Sequence, residues 1–372
     1  MPGQLAEAEG FEPPDPLGTL AFKASAFGRS ATLPRDSLAS PGRVLDQRTH
    51  LWWDPCVDIN PDAELDTSQV SDDRGSGGGY GGGGGLGGRV AVGGGGVSIV
   101  GLIIYLVLSQ LGGGSLPAGF DPGALSQGGG SNSGSTNGGD IAQNCHFGRD
   151  VKTDADCEVV PIVNSIQNYW TTEFARRGSK YQPAITHVFS QSTNTGCGPA
   201  TADVGPFYCP ADKNVYIDLS FYQELQTRFG AKGGPFARAY VLAHEYGHHV
   251  QDLIGTSRAV KSGVTGATSG SVRLELQADC YAGVWANHAQ QTTTASGQPL
   301  IENVSPADVA AAVDTAARIG DDYIQSKIGG QRVDQSQFTH GSSAQREKWL
   351  TTGLNTGDPQ QCDTFSKNVN LG

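Results

Sequence analysis

Glycine is distributed very unevenly along this chain of 372 residues. Half of its 54 glycines fall between residues 75 and 139, in runs that surround a single apolar stretch. Glycine runs cannot bury enough apolar surface to offset the conformational entropy lost on folding. We therefore predict one folded domain behind a long lead-in, in five segments: a disordered region, 1–74; a glycine-rich segment, 75–96; an apolar segment, 97–111; a flexible Gly/Ser linker, 112–143; and the folded domain, 144–372.

The apolar segment, Val97–Leu111, has 15 residues, whereas a membrane-spanning helix needs about 20. Counting back to Val90 lengthens it to 22 residues, and no charged residue occurs between Arg89 and Asp121. We predict a single transmembrane helix. A buried core helix and a cleaved signal peptide are the alternatives.

Basic residues lie on one side of this segment only. Arg74 and Arg89 precede it, and no lysine or arginine follows until Arg149. Because basic flanking residues stay on the cytoplasmic side of a membrane, the N-terminus is predicted to be cytoplasmic and the folded domain to lie outside.

The cysteines indicate the same arrangement. One of the seven, Cys56, precedes the apolar segment, and six follow it. An even number beyond the membrane fits disulfides in an oxidising compartment, although six cysteines allow 15 pairings. A cysteine zinc site is the alternative, but the chain has no Cys-x-x-Cys pair.

The stretch Val241–Gln251 contains His244-Glu-x-x-His248. On a helix, residues four apart share a face, so both imidazoles can reach one metal ion. Glu245 would lie beside that metal, where a carboxylate can take a proton from a metal-bound water. A chance match on an ordinary helix is the alternative.

Catalytic zinc needs a third protein ligand and one open position for water. Glu275 and Asp279 are again four residues apart, and Ala282 and Ala286 continue their helix face. Small residues there would let this helix approach the histidine helix closely. The spacing leaves open which carboxylate binds the metal, and a solvated helix carboxylate is the alternative for either.

The predicted elements place strands before helices, which indicates an α+β fold. Strands are predicted over residues 184–189 and 214–219, and the histidine helix over 235–253. A helix follows Ser305-Pro306, and a last one covers 343–354. The stretch 214–222 is a candidate edge strand for an extended substrate, or else a plain core strand.

Seven stretches of the chain occur in the same order in one known family. They are Thr195–Gly198, Gly205–Asp212, Val215–Tyr222, His244–Gln251, Glu275–Trp285, Phe338–Gly341 and Gly357–Cys362. In them the chain resembles the neutral zinc metallopeptidases of bacteria, a little-characterised, membrane-anchored, zincin-like family. The likeness covers about 140–365, with a weaker match near Asp66–Arg74. Because nothing family-like precedes that match, a wrongly assigned start codon is a second explanation of the N-terminal region.

The resemblance implies a zinc-dependent endopeptidase of the bacterial cell membrane that acts on an unidentified peptide or protein. One catalytic zinc would be held by His244, His248 and Glu275. Glu245 would be the general base, and Asp279 would orient a ligand histidine. His340 would stabilise the oxyanion or, alternatively, cap the next helix.

The resemblance and the short separations also suggest three disulfides. The pairs are Cys145–Cys157, Cys197–Cys209 and Cys280–Cys362.

Charge and composition restrict the remaining possibilities. The net charge is −12 and the sequence pI is near 5.0, and no run of lysine and arginine occurs, so no nucleic-acid partner is expected. Two other functions stay open: an extracytoplasmic binding or assembly protein with a structural zinc site, and a zinc amidase that acts on cell-wall peptides.

Overall fold

The computed structural model describes residues 58–74, 141–261 and 263–372. Its helices are α1 Ile141–Asn144, α2 Val159–Arg176, α3 Phe221–Thr227, α4 Pro235–Ile254, α5 Gly270–His288, α6 Pro306–Arg318, α7 Asp321–Tyr323 and α8 Ser343–Thr356. Its strands are β1 Asp58–Ile59, β2 Val70–Asp72, β3 Thr186–Phe189, β4 Ser192–Thr195, β5 Gly198–Thr201, β6 Phe207–Cys209, β7 Asn214–Asp218 and β8 Ile301–Asn303. This mixture of helix and sheet agrees with the predicted α+β class.

The main sheet has four strands in the order β2-β3-β7-β6. The first three run parallel, and β6 is antiparallel to β7. Because β7 lies between two partners, the expectation that it forms an edge for substrate is wrong. The plain core strand was the correct alternative, and β6 is the edge on that side.

Residues 58–74 belong to the folded domain. Strand β2 pairs with β3, with Val70 opposite Thr186, and β1 pairs with β8. Ala63 and Leu65 are buried in the same core as Val70. The predictions of disorder up to residue 74 and of a domain that starts at residue 144 are therefore wrong for these residues. Their partners lie so far along the chain that local composition gives no sign of the pairing. Residues 1–57 lie outside the described residues.

The structure leaves residues 75–140 undescribed. The residues that flank this stretch, Arg74 and Ile141, both bind Asp72 in the folded domain. The Arg74 guanidinium binds Asp72 and Asp156, and the backbone N–H of Ile141 donates to Asp72. Residues on both sides of the predicted membrane span thus share one sheet. The predicted topology, with Arg74 in the cytoplasm and the domain outside, disagrees with this packing.

The predicted span itself, 97–111, lies outside the described residues, as do the glycine-rich segment and nearly all of the linker. None of the helices that the structure describes is both long and apolar enough to cross a membrane.

Three disulfides stabilise the domain, and they join the pairs that the resemblance suggested. Cys145 is bonded to Cys157, Cys197 to Cys209, and Cys280 to Cys362. The third disulfide closes the longest loop and attaches α5 to the turn after α8.

Helices α4 and α5 approach each other closely at Gly247. A Cβ atom at this position would lie 2.9 Å from the Cα of Ala278 and 3.0 Å from its carbonyl oxygen. Gly247 precedes His248, and Ala278 precedes Asp279, so this contact brings the two predicted site helices together. Small residues permit the close approach of the two helices, as expected. The contact lies at Gly247 and Ala278, whereas the sequence pointed to Ala282 and Ala286.

Candidate metal centre

Helix α4 carries the His-Glu-x-x-His sequence through the middle of the domain. It begins with Pro235 in its first turn, where a missing N–H costs no helical hydrogen bond. It ends at Gly255, whose φ of 85° is the left-handed conformation that glycine adopts most easily. His244 and Glu245 are each 2% exposed. Helix α5 is capped by Ser269, whose side chain accepts the Val272 N–H.

Three side chains from these two helices converge. The Nε2 atoms of His244 and His248 lie 3.2 Å apart. Glu275 places Oε2 at 3.2 Å from His244 Nε2 and Oε1 at 3.5 Å from His248 Nε2. Among the described residues, these three form the group whose ligand atoms lie close enough together to hold one metal ion.

The other nitrogen of each imidazole, Nδ1, already makes a hydrogen bond. His244 Nδ1 donates to Asp279 Oδ1 at 2.8 Å. His248 Nδ1 donates to Gln251 Oε1 at 2.9 Å, and Gln251 is fixed in that orientation because its Nε2 donates to the Leu274 carbonyl. In the neutral rings both Nε2 lone pairs therefore face each other and a carboxylate. Only a proton or a cation between them relieves that repulsion.

The arrangement fits zinc. Ligand atoms about 2.1 Å from a tetrahedral zinc ion are roughly 3.4 Å from one another, and the observed separations are 3.2 to 3.5 Å. Two imidazole nitrogens and one carboxylate are also a donor set that zinc takes in catalytic sites. His244, His248 and Glu275 are thus suited to hold one ion.

The electrostatics of these three side chains agree with this geometry. Burial alone would lower the pKa of His244, but Asp279 and Glu275 raise it to about 9. Burial would raise the pKa of Glu275, whereas the two imidazoles hold it well below its usual value. The pKa of Glu245 is raised, chiefly by burial. The group thus favours a positive charge between the two imidazoles and Glu275.

Zinc affinity should therefore rise with pH. Below about pH 9 zinc must displace the His244 proton, so the apparent affinity should increase about tenfold per pH unit for each proton released and level off above the His244 pKa of about 9. Competition titration with a chelating dye, and calorimetry in buffers of different ionisation enthalpy, would measure the slope and the proton release. An affinity that is constant from about pH 7 to about pH 9, corrected for zinc hydrolysis and chelator protonation, would contradict this account.

Asp279 lies at the centre of a buried network. Arg346 is 0% exposed and donates to both Asp279 oxygens, from Nε and from Nη2, at 2.9 Å each. The Tyr240 hydroxyl donates to Oδ1 at 2.7 Å. Burial would raise the pKa of Asp279, but Arg346 and His244 keep it below its usual value. The carboxylate that orients His244 is thereby kept ionised and in place.

Sequence reasoning missed Arg346 and Gln251. Gln251 had a usable signal, since it lies one helical turn after His248 on the same side of α4. Arg346 had no such signal. It is 67 residues from Asp279 in the sequence, and the pattern of polar and apolar residues in its helix does not set it apart.

His340 is buried close to this centre. Its Nδ1 lies 3.3 Å from Asp321 Oδ1, and Asp321 Oδ2 accepts the backbone N–H of His340 at 2.8 Å. His340 helps to lower the pKa of Glu275. The alternative that His340 caps the next helix is wrong, since Ser342 caps α8 in a capping box with Gln345.

His249, which follows His248 in the sequence, points away from this group. Its Nε2 donates to the Gln182 carbonyl at 2.7 Å, and its Nδ1 lies 3.1 Å from the Tyr208 hydroxyl. Burial lowers its pKa, so the ring is neutral at neutral pH.

A helix that carries His-Glu-x-x-His against a second helix that adds a carboxylate is the arrangement of zinc-dependent hydrolases. The comparison with known families agrees. Residues 62–365 match the family described as "Putative neutral zinc metallopeptidase", and the chain belongs to this family.

Two relatives carry names that assign no activity. Uncharacterized protein Rv2575 of Mycobacterium tuberculosis is 48% identical over 228 residues, which cover 61% of this chain and 76% of that protein. Uncharacterized protein YpfJ of Escherichia coli is 43% identical over 213 residues, or 56% of this chain and 70% of that protein. No solved structure shows significant similarity to this chain.

Proposed function

We propose that this protein is a zinc-dependent endopeptidase in which Glu245 is the general base. The observation that carries the proposal is the placement of three converging ligand atoms beside a buried carboxylate that lines an open pocket. His244, His248 and Glu275 would hold one zinc ion, which, when bound, supplies a Lewis acid and lowers the pKa of a coordinated water to about 7.

The chain's own residues would perform the remaining work. Glu245 accepts the backbone N–H of Tyr208, which fixes its carboxylate at the pocket. Its raised pKa brings it nearer to neutrality, where a general base both accepts and returns a proton efficiently. Glu245 would take up the proton of the attacking water and deliver it to the leaving amine. Asp279 and Gln251 keep the two imidazoles in one tautomer and orientation.

Two features distinguish this function from a structural zinc site. A structural site is closed by four protein ligands, whereas the group among the described residues has three. Glu245 would also have no task in a structural site, yet it is buried beside the histidines and reaches the pocket. A cell-wall amidase would use the same chemistry, and the substrate test below separates the two.

Cleavage of a mixed peptide library by the full-length protein tests the proposal. Zinc-loaded protein should release new peptide termini that mass spectrometry detects, and a chelator should abolish the release until zinc is restored. Cleavage of cell-wall muropeptides but of no library peptide would favour the amidase. Zinc retention without hydrolysis of either substrate would favour the binding protein.

We further propose that His340 stabilises negative charge on the substrate oxygen. His340→Gln should lower kcat by about 10- to 1,000-fold with zinc retained, as for other hydrogen bonds made to a developing oxyanion. Steady-state kinetics and zinc analysis on the same samples would measure both. The exposed His146 offers a matched control, since His146→Gln should change neither. Equal loss of zinc, stability and activity in His340→Gln would instead indicate a purely structural histidine.

An extracytoplasmic location is part of the proposal. Three disulfides within one domain are typical of proteins from oxidising compartments. Attachment to a bacterial membrane through residues 97–111 stays a prediction from the sequence. Any such attachment must leave residues 58–74 and the rest of the domain on the same side of the membrane, because β2 pairs with β3.

A further inference from the structure

A pocket of about 320 Å³ opens beside the predicted metal ligands. It lies between the end of α4, the start of α5, the loop that joins them, and β6 with the residue that follows it. Glu245, His248 and Glu275 form one end of it. A side chain of a substrate bound at the zinc would therefore enter this pocket.

Asp252 is a second acidic feature of the pocket, separate from the metal group. It lies one helical turn, roughly 6 Å along the axis, beyond His248 on the same side of α4. Asp252 lines the pocket although the residue is only 7% exposed. A buried carboxylate is costly unless it is paired with a charge or well hydrogen-bonded.

Among the described side chains, Asp252 has one hydrogen-bond donor, the Tyr208 hydroxyl. Tyr208 has one hydroxyl proton, and its oxygen lies 3.2 Å from Asp252 Oδ2 and 3.1 Å from His249 Nδ1. The Tyr208 hydroxyl is therefore shared between Asp252 and His249. Asp252 thus depends on one shared hydroxyl for its hydrogen bonding to the described side chains.

The nearest cation among the described residues is Arg258, and it fills this need poorly. Its Nη2 lies 3.9 Å from Asp252 Oδ1, and its side chain is 74% exposed. The contact shows that a guanidinium can approach Asp252 from the pocket side. At this exposure and distance, however, such a pair contributes little and is easily displaced.

The walls of the pocket are mainly apolar. Leu274, Val260 and Pro210 contribute to them. A long side chain with an apolar stem and a charged tip matches apolar walls that lead to a carboxylate. Neither a purely aliphatic nor an acidic side chain would satisfy Asp252.

We infer that this pocket binds a lysine or arginine side chain of the substrate, next to the scissile bond, with Asp252 as its ionic partner. The inference rests on the proposed peptidase function. It defines the substrate class as peptides with a basic residue at one position that flanks the cleaved bond.

Two readouts on full-length, zinc-loaded protein test the inference. The first is kcat/KM for peptides that differ only by lysine or norleucine at the residue flanking the cleaved bond. The second is equilibrium binding, by NMR, of N-acetyl-arginine amide against N-acetyl-norleucine amide, which requires no turnover. Wild type should favour the basic member at least about tenfold in both, as expected for a hydrogen bond to a charged group.

Variants locate the source of the preference. Asp252→Asn should bring the preference for the basic ligand over the norleucine ligand, measured by kcat/KM or by affinity, close to one. Arg258→Ala should raise that preference, because Arg258 no longer competes for Asp252. Arg258 is largely exposed, so this second variant keeps the test valid if Asp252→Asn fails to fold. Asp363→Asn, an exposed change outside the pocket, should leave the ratio unaltered.

The outcomes separate this inference from the proposed function. Cleavage without a basic preference, or a preference that survives Asp252→Asn, overturns the inference and leaves the peptidase intact. Preferential binding of the arginine amide that depends on Asp252, in a protein that cleaves no peptide, supports the pocket and overturns the peptidase. Equal binding of the two amides by wild type and by Arg258→Ala overturns the inference by itself.

Discussion

Glu245→Gln is expected to lower kcat by about 10²- to 10⁴-fold while the zinc content of the purified protein stays that of wild type. The amide keeps the size of the side chain and can still accept the Tyr208 N–H. It cannot take up a proton, so the proposed base is lost while the three proposed metal ligands are untouched. Peptide turnover and metal analysis on the same preparation measure both quantities.

A matched control is available on the surface. Glu302 is exposed and lies in β8, so Glu302→Gln should leave turnover and zinc content unchanged. If Glu245→Gln binds zinc and cleaves peptides as fast as wild type, Glu245 is not the base. If it loses zinc, Glu245 contributes to metal binding, and the assignment of the three ligands must be revised.

Glu275→Ala should nearly abolish zinc retention, whereas Asp279→Ala should weaken zinc affinity by about 10- to 100-fold. Glu275 faces both Nε2 atoms, where a metal ion would lie. Asp279 contacts the opposite nitrogen of His244 and can act only through that ring. Mass spectrometry of both dialysed variants, followed by titration with zinc, measures the difference.

Removal of Asp279 has a second effect that must be measured separately. It leaves the fully buried Arg346 without its carboxylate, and an unpaired buried charge is strongly destabilising. Asp279→Asn with Arg346→Met removes both charges and should recover stability without restoring zinc affinity. Should the Asp279 variant lose zinc while the Glu275 variant keeps it, the two roles are exchanged.

The histidine helix could be predicted from sequence because its information is local. The spacing of His244 and His248 places them on one helix face, and α4 covers 235–254 where 235–253 was expected. The limits of α8 follow equally local signals, a serine cap and a glycine in the left-handed conformation.

Features set by distant residues could not be predicted. The pairing of β2 with β3 depends on backbone hydrogen bonds between segments far apart in sequence, and Val70–Asp72 is too short to show a strand pattern. The role of β7 depends on which strands flank it. Arg346 reaches Asp279 only because α8 packs on α5. The spacing alone did not decide between Glu275 and Asp279; the resemblance implied Glu275, and the orientation of both helices places Glu275 against the two Nε2 atoms.

Because Arg74 and Ile141 both bind Asp72, this is a discontinuous domain, in which residues 75–140 are an insertion with ends close together. None of the three disulfides reaches the portion before the insertion that the structure describes, 58–74. A single cut within the insertion would leave that portion held by noncovalent contacts alone. A chain shortened to begin at residue 141 would uncover the edge of β3, a site for pairing with other chains. A short linker from residue 74 to residue 141 would keep the sheet intact, because loop closure favours short connections.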